Sequence, residues 1–195
     1  NGDTTVALGE NKTCTLTNND QQATITVVKV VKNDSGGSAA PDDFNLTLGG
    51  NATTSGVAVP VNPGTHKAAE TLLPGYTFEG FSGDCDSNGD TTVALGENKT
   101  CTLTNDDQQA YITVIKVVNN GSNPGGSAAP DDFSLTLGGN ATTSGVPVPV
   151  DPGTYTAAET LVDGYAFDGF SGDCDSNGDT TVAAGESKSC TLTNT

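Results

Sequence analysis

The chain has 195 residues, with seven lysines, no arginine and 24 acidic side chains, for a formal net charge of -17. That field repels phosphate and anionic headgroups, so nucleic acid is excluded as a partner and an anionic membrane surface is disfavoured. With no long apolar run and no charged-then-apolar leader, the reading expects no membrane insertion and no signal peptide in this stretch.

The first element is a repeat. Residues 1 to 18 stand unchanged at 88 to 105 and return at 177 to 194, where only Ala184, Ser187 and Ser189 depart. Between these segments lie two longer bodies, 24 to 87 and 111 to 176, the second with a two-residue insertion near Asn123 and Pro124. A chain of copies is read as an array of one structural unit. The expected domains are therefore 24–105 and 111–194, each a complete repeat. Residues 1–18 are expected to be the C-terminal hairpin of a preceding repeat, in a window cut from a longer array.

Along the first body, alternating residues mark short strands in turn: Ile25, Val27, Lys29, Val31; Phe44, Leu46, Leu48; Val57, Val59, Val61; Ala68, Glu70, Leu72. Tyr76 with Phe78, Val93 with Leu95, and Cys101, Leu103, Asn105 complete the series. Each has period two between Gly, Pro, Asn or Asp, and no window carries a helical stripe. About seven short strands per repeat make an all-β fold of tandem small β-sandwiches. Pro60, Pro147 and Pro149 remove ladder donors from the third strand, which should lie at an edge. Asn88-Gly89 and Asn177-Gly178 suit two-residue hairpin turns. The linkers, Asn19 to Ala23 and Asp106 to Ala110, lack Gly and Pro, so successive repeats should form a fairly stiff rod.

Five cysteines occupy equivalent places, with no CxxC and a single histidine, His66, so disulfides are expected and zinc is not. Either Cys85 joins Cys101 and Cys174 joins Cys190, leaving Cys14, or the bonds run Cys14 to Cys85 and Cys101 to Cys174. Both patterns indicate an oxidising, extracellular, cell-surface setting. Sequons at Asn11, Asn33, Asn45, Asn51, Asn98, Asn120 and Asn140 agree with a surface glycoprotein.

Polar residues on the apolar faces carry the chemistry. Lys29 shares a face with Ile25, Val27 and Val31, as Lys116 does with Ile112, Val114 and Val118. Glu70 and Glu159 alternate with apolar neighbours, and Asn105 and Asn194 follow Cys and Leu on the closing strand. A buried unpaired charge costs several kcal/mol, so a lysine in that position needs partners.

The order of first-strand Lys, mid-domain Glu in Ala-Ala-Glu-Thr-Leu-Leu-Pro-Gly-Tyr, and last-strand Asn in Cys-Thr-Leu-Thr-Asn resembles the Cna B-type or SpaA-type prealbumin-like domains. These are repeats of bacterial surface stalks and pili. The resemblance covers each whole repeat. It implies isopeptide bonds from Lys29 to Asn105 and from Lys116 to Asn194, with Glu70 and Glu159 as the groups that promote them and Asn18 serving an unseen preceding domain. Burial favours the neutral forms, an amine nucleophile beside a protonated acid that shuttles the proton as ammonia leaves. Such a reaction happens once per domain, so the chain is not expected to be an enzyme. The plainer alternative is a Lys–Glu ion pair with the asparagine capping the sheet.

A weaker signal is Asp84, Asp86, Asn88 and Asp90, repeated as Asp173, Asp175, Asn177 and Asp179, which opens like a calcium loop. Leu95 and Ala184 stand where the helical loop needs its bidentate Glu. No cofactor is required by this reading, though Ca2+ could bind there. The expected function is a structural repeat of an extracellular filament, pilus shaft or adhesin stalk, with neighbouring repeats of the same polymer as partners. The alternative is a calcium-dependent module that binds a glycan or protein ligand on a surface or host.

Overall fold

The computed structural model describes residues 2–121 and 126–195, so the insertion expected near Asn123 and Pro124 lies outside the described residues. Two bodies of one design follow each other. The first holds β1 (Ala23–Lys32), β2 (Asn45–Leu48), β3 (Asn51–Thr53), β4 (Ala58–Val61), β5 (Gly64–Thr71), β6 (Tyr76–Gly83), β7 (Asp90–Val93) and β8 (Asn98–Asp107). The second holds β9 (Ala110–Val118), β10 (Ser134–Leu137), β11 (Asn140–Thr142), β12 (Pro147–Val150), β13 (Gly153–Thr160), β14 (Phe167–Gly172), β15 (Asp179–Val182) and β16 (Ser187–Asn194).

Each body is two four-stranded sheets face to face. In the first, β4-β1-β8-β6 packs on β3-β2-β5-β7; in the second, β12-β9-β16-β14 packs on β11-β10-β13-β15. Pairing is antiparallel except between β1 and β8 and between β9 and β16, which run parallel. The opening and closing strands of a repeat thus lie side by side in the middle of one sheet. Period two sets what they bury: Ile25, Val27 and Leu103 meet Leu46, Leu48, Ala68 and Val93 of the facing sheet. Full burial of an aliphatic side chain stabilises by about 1.5–3 kcal/mol, and with Ala23, Phe44, Tyr76 and Cys101 these residues make up a small core.

The proline-bearing strands β4 and β12 lie at sheet edges, with Pro60, Pro147 and Pro149 pointing outward. Several details differ from the sequence expectation. β3 and β11 are additional strands, invisible to periodicity because Asn-Ala-Thr carries no apolar alternation. Leu72 and Leu95 fall just past strand ends and are 53% and 58% exposed, so they are not core residues. Asn88 and Asn177 do not take positive φ, since only glycines do; Ser87 and Asn88 form the turn and Gly89 (φ +85°) follows it. There a Cβ would sit 2.5 Å from the Ala68 carbonyl, so Gly89 is required by space as well as by conformation.

Two further corrections concern connections. β7 pairs with β5, whereas β8 pairs with β1 and β6, so residues 88–105 are not a hairpin but an arch that crosses from one sheet to the other. β8 also runs on to Asp107 and β9 begins at Ala110, which shortens the expected five-residue linker to Gln108 and Gln109. Residues 2–22 form no strand.

Candidate crosslinking site

The parallel β1–β8 pair sets Lys29 opposite Leu103 and Val31 opposite Asn105. Lys29 and Asn105 therefore occupy inward positions one step apart on adjacent strands. Glu70 reaches them from the facing sheet, on β5 opposite Leu46. Lys29 Nζ lies 2.8 Å from Glu70 Oε2 and donates to Asn105 Oδ1. The lysine side chain has no solvent exposure and the glutamate 8%. In the second repeat Lys116 Nζ lies 2.7 Å from Glu159 Oε2, donates to Asn194 Oδ1, and is 3.5 Å from the Leu192 carbonyl.

The floor of each site is aromatic. Lys29 Nζ stands 4.3 Å from the Phe44 ring centroid and Lys116 Nζ 4.4 Å from that of Phe133. Sequence reasoning placed these rings in the core without linking them to the lysines; the only signal was their fixed place at the start of the second strand series. A ring face offers a cation some attraction but no proton acceptor. Burial pushes the Lys29 ammonium below its ordinary pKa, against the opposing hydrogen bond and charge of Glu70.

Satisfaction is incomplete. Among the described residues, Glu70 Oε1, Glu159 Oε1 and the side-chain amide nitrogens of Asn105 and Asn194 are buried without a hydrogen-bond partner. Each such group costs about 1–3 kcal/mol. An orphaned amide nitrogen beside an amine and a carboxyl group is badly arranged for a static ion pair.

The remaining candidates lie elsewhere in the chain. Disulfides join Cys85 to Cys101 and Cys174 to Cys190, which selects the first of the two pairings. Cys14 is exposed and unpaired, and Asn18 is exposed in the segment without strands. In the acidic loops, Asp86 Oδ1 accepts from the Asn88 and Asp90 amides at 2.8 and 2.9 Å, and Asp84 Oδ2 accepts from the Thr100 amide at 2.8 Å. Asp175 accepts from the Asn177 and Asp179 amides and Asp173 from the Ser189 amide in the same way. Those backbone donors, Asp90 and Asp179 foremost, hold the Asp86 and Asp175 carboxyls below the usual range. Asp90 lies 3.9 Å from Lys67, and Asp179 accepts from Thr156 Oγ1. Asp86 and Asp175 are thus engaged within their own turns, and the other loop carboxylates with neighbouring strands.

No helix among the described residues is long and apolar enough to cross a membrane. No curated protein matches the chain in sequence. Among solved structures, the chain is similar to the C-terminal fragment of the pilus adhesin SpaC from Lactobacillus rhamnosus GG, at 19% identity and TM-score 0.42, covering 89% of this chain and 97% of that one. It is similar to the major pilin from Streptococcus pyogenes at 14% identity and TM-score 0.34, over 92% of this chain and 99% of that one. Two B repeat units of the collagen-binding protein of Staphylococcus aureus match at 17% identity and TM-score 0.22, over 91% and 49%. The family model described as a prealbumin-like fold domain, SpaA type, matches residues 20–103 and again residues 107–192. The chain belongs to the SpaA-type prealbumin-like domain family, and carries that domain twice.

Proposed function

We propose that this chain is a load-bearing section of an extracellular, cell-surface filament, a pilus shaft or adhesin stalk, in which each repeat closes itself with a Lys–Asn isopeptide bond. The observation that carries the reading is the buried meeting of Lys29, Glu70 and Asn105, reproduced by Lys116, Glu159 and Asn194. The neutral lysine amine attacks Cγ of the asparagine, a C–N amide bond forms, and the asparagine nitrogen leaves as ammonia. The glutamic acid relays the proton from Nζ to the departing nitrogen. Packing supplies the approach and orientation that would otherwise be paid in entropy.

The closed bond would tie the first strand of a repeat to its last. Pulling on the two ends of the sandwich would then load a covalent link rather than a ladder of hydrogen bonds. The disulfide, which anchors β8 or β16 to the loop after β6 or β14, staples a second place in a domain with a small core. Residues 1–18 read as the closing arch of a preceding repeat, with Asn18 as its crosslinking asparagine. The neighbouring repeats of the polymer are the partners in this reading, and no metal is needed.

Intact mass of the reduced chain tests it. The expected deficit is one ammonia per repeat against the sequence mass, and Glu70→Ala with Glu159→Ala restores the full mass. A full mass for the unaltered chain would reduce the triads to ion pairs. The calcium-dependent binding alternative is tested by a melting curve with and without chelator, which the stalk reading expects to superimpose.

A further inference from the structure

Gln108 and Gln109 are the whole connection between β8 and β9, and both are bonded to the bodies they join. The Gln108 amide donates to the Gly75 carbonyl of the first repeat at 2.8 Å, and its carbonyl accepts from the Gly185 amide of the second at 2.8 Å. Gln109 Nε2 donates to the Val150 carbonyl at 2.8 Å. A two-residue link with its backbone and side chain both engaged has no slack to act as a hinge.

The bodies also touch directly. At Gly75, in the turn before β6, a Cβ would lie 2.7 Å from the Ala184 carbonyl oxygen and 2.8 Å from Ala184 Cβ. At Gly36 a Cβ would lie 2.5 Å from Asp151 Cβ. The Gly36 loop is itself held in place, because the buried Asp107 carboxylate accepts from the Ser35 amide at 2.9 Å and from the Gly37 amide. Leu73 and Tyr76 of one repeat and Pro152, Ala183 and Ala184 of the other line a cavity of about 340 Å³ between the contacts.

The chain supplies its own control. Gly164 is the counterpart of Gly75, with φ +89° against +81°, yet a Cβ there would meet nothing within 4 Å. The turn conformation is shared by both copies. The crowding exists only where one repeat sits on the other.

We infer that the Gly36–Gly75 end of one repeat and the Asp151–Ala184 end of the next form a docking interface that fixes their relative orientation, with Gly75 as the residue that sets the close approach. The partner it fits is another repeat of this type. Leucine stands at the place of Ala184 in the other two copies, as Leu8 and Leu95, so the small side chain that Gly75 meets is particular to the junction between these two repeats. The inference rests on the tandem-stalk reading for its purpose only, since orientation can be measured whether or not the isopeptide bonds form.

Residual dipolar couplings on the isotopically labelled 195-residue chain test it. One alignment tensor should describe both repeats of the unaltered chain and of Gly164→Ala, while Gly75→Ala should require two. Both substitutions impose the same backbone strain, so the difference between them isolates the contact. Ala184→Ile, which branches at Cβ on the opposite side of the contact and leaves the Gly75 turn untouched, should also separate the tensors. Two tensors in the unaltered chain would overturn the inference. So would a single, unchanged tensor in both Gly75→Ala and Ala184→Ile.

Discussion

Residues 1–18 and 88–105 have the same sequence, yet the described residues 2–18 are built differently from 89–105. In the second copy Val93 is 2% exposed, Leu103 is fully buried and Cys101 is disulfide-bonded inside the core. In the first, the matching Val6 and Leu16 are 55% and 83% exposed, Cys14 is unpaired and no strand forms. What survives in both is the turn. Glu10 donates its amide to the Ala7 carbonyl at 3.1 Å and accepts from the Ala7 amide through its carboxylate at 3.1 Å; Glu97 and Ala94 do the same at 3.2 and 2.9 Å. Contacts made within four residues persist, and those made with the rest of the body do not. The cause is the arch topology. The two strands of this segment never pair with each other, so alone they have no ladder to form. A true hairpin would have kept part of its pairing; an arch keeps none.

The comparison can be broken first at the crosslink. Asn105→Ala should abolish the ammonia deficit of the first repeat completely, while Asn18→Ala should leave the mass deficit of the chain unchanged. The rate should pass through a maximum with pH, because attack needs the neutral Lys29 amine, whose pKa burial holds below its ordinary 10.5, while the relay needs the carboxyl in its acid form. Stability responds to the same lysine. In the uncrosslinked Asn105→Ala chain the unfolded state binds the lysine proton more readily, so stability should rise with pH between the lowered value and the ordinary one. Denaturant melts at stepped pH measure it.

A smaller effect is expected from the core. Leu103→Ala should cost about 2–5 kcal/mol of the first repeat's stability through lost burial and the cavity left behind. Leu16→Ala should cost nothing measurable. Next comes the disulfide: Cys101→Ser opens a link of sequence separation 16 and should lower stability by about 3 kcal/mol, against no change for Cys14→Ser. Chemical denaturation under non-reducing conditions compares all four.

The smallest effect sharpens the likeness rather than the difference. The Ala7 amide, and then Lys12, hold the Glu10 carboxyl below its usual pKa. A depressed carboxyl stabilises its turn above the ordinary value and loses that contribution as pH falls through the lowered one. An NMR titration should therefore show the Ala7 amide shifting as acid is added, with the core amides of both repeats unmoved over that range.

Much of the site was legible because it breaks a pattern. A lysine on the same face as Ile25 and Val27 is conspicuous in a chain with seven lysines, and period two assigns its direction before any partner is known. Phe44 was less legible as a site residue, since an aromatic in an apolar series needs no explanation beyond packing. The acidic loops carry two readings at once. Asp84, Asp86 and Asp90 have the spacing of metal ligands, but Asp86 turns on its own backbone, a local use of Asp that sequence spacing does not distinguish from ligation.

Strand periodicity, the outward prolines of the edge strands and the list of residues with chemistry to explain were legible along the chain, because each depends on neighbours a few positions away. Only the tertiary structure decided which strands pair, which cysteines join, and that Lys29, Glu70 and Asn105 meet. It also decided that one eighteen-residue sequence is core at 88–105 and strandless over the described residues 2–18. Ladder partners and buried faces are supplied by distant residues, and a segment that receives neither keeps only the hydrogen bonds it can make to itself.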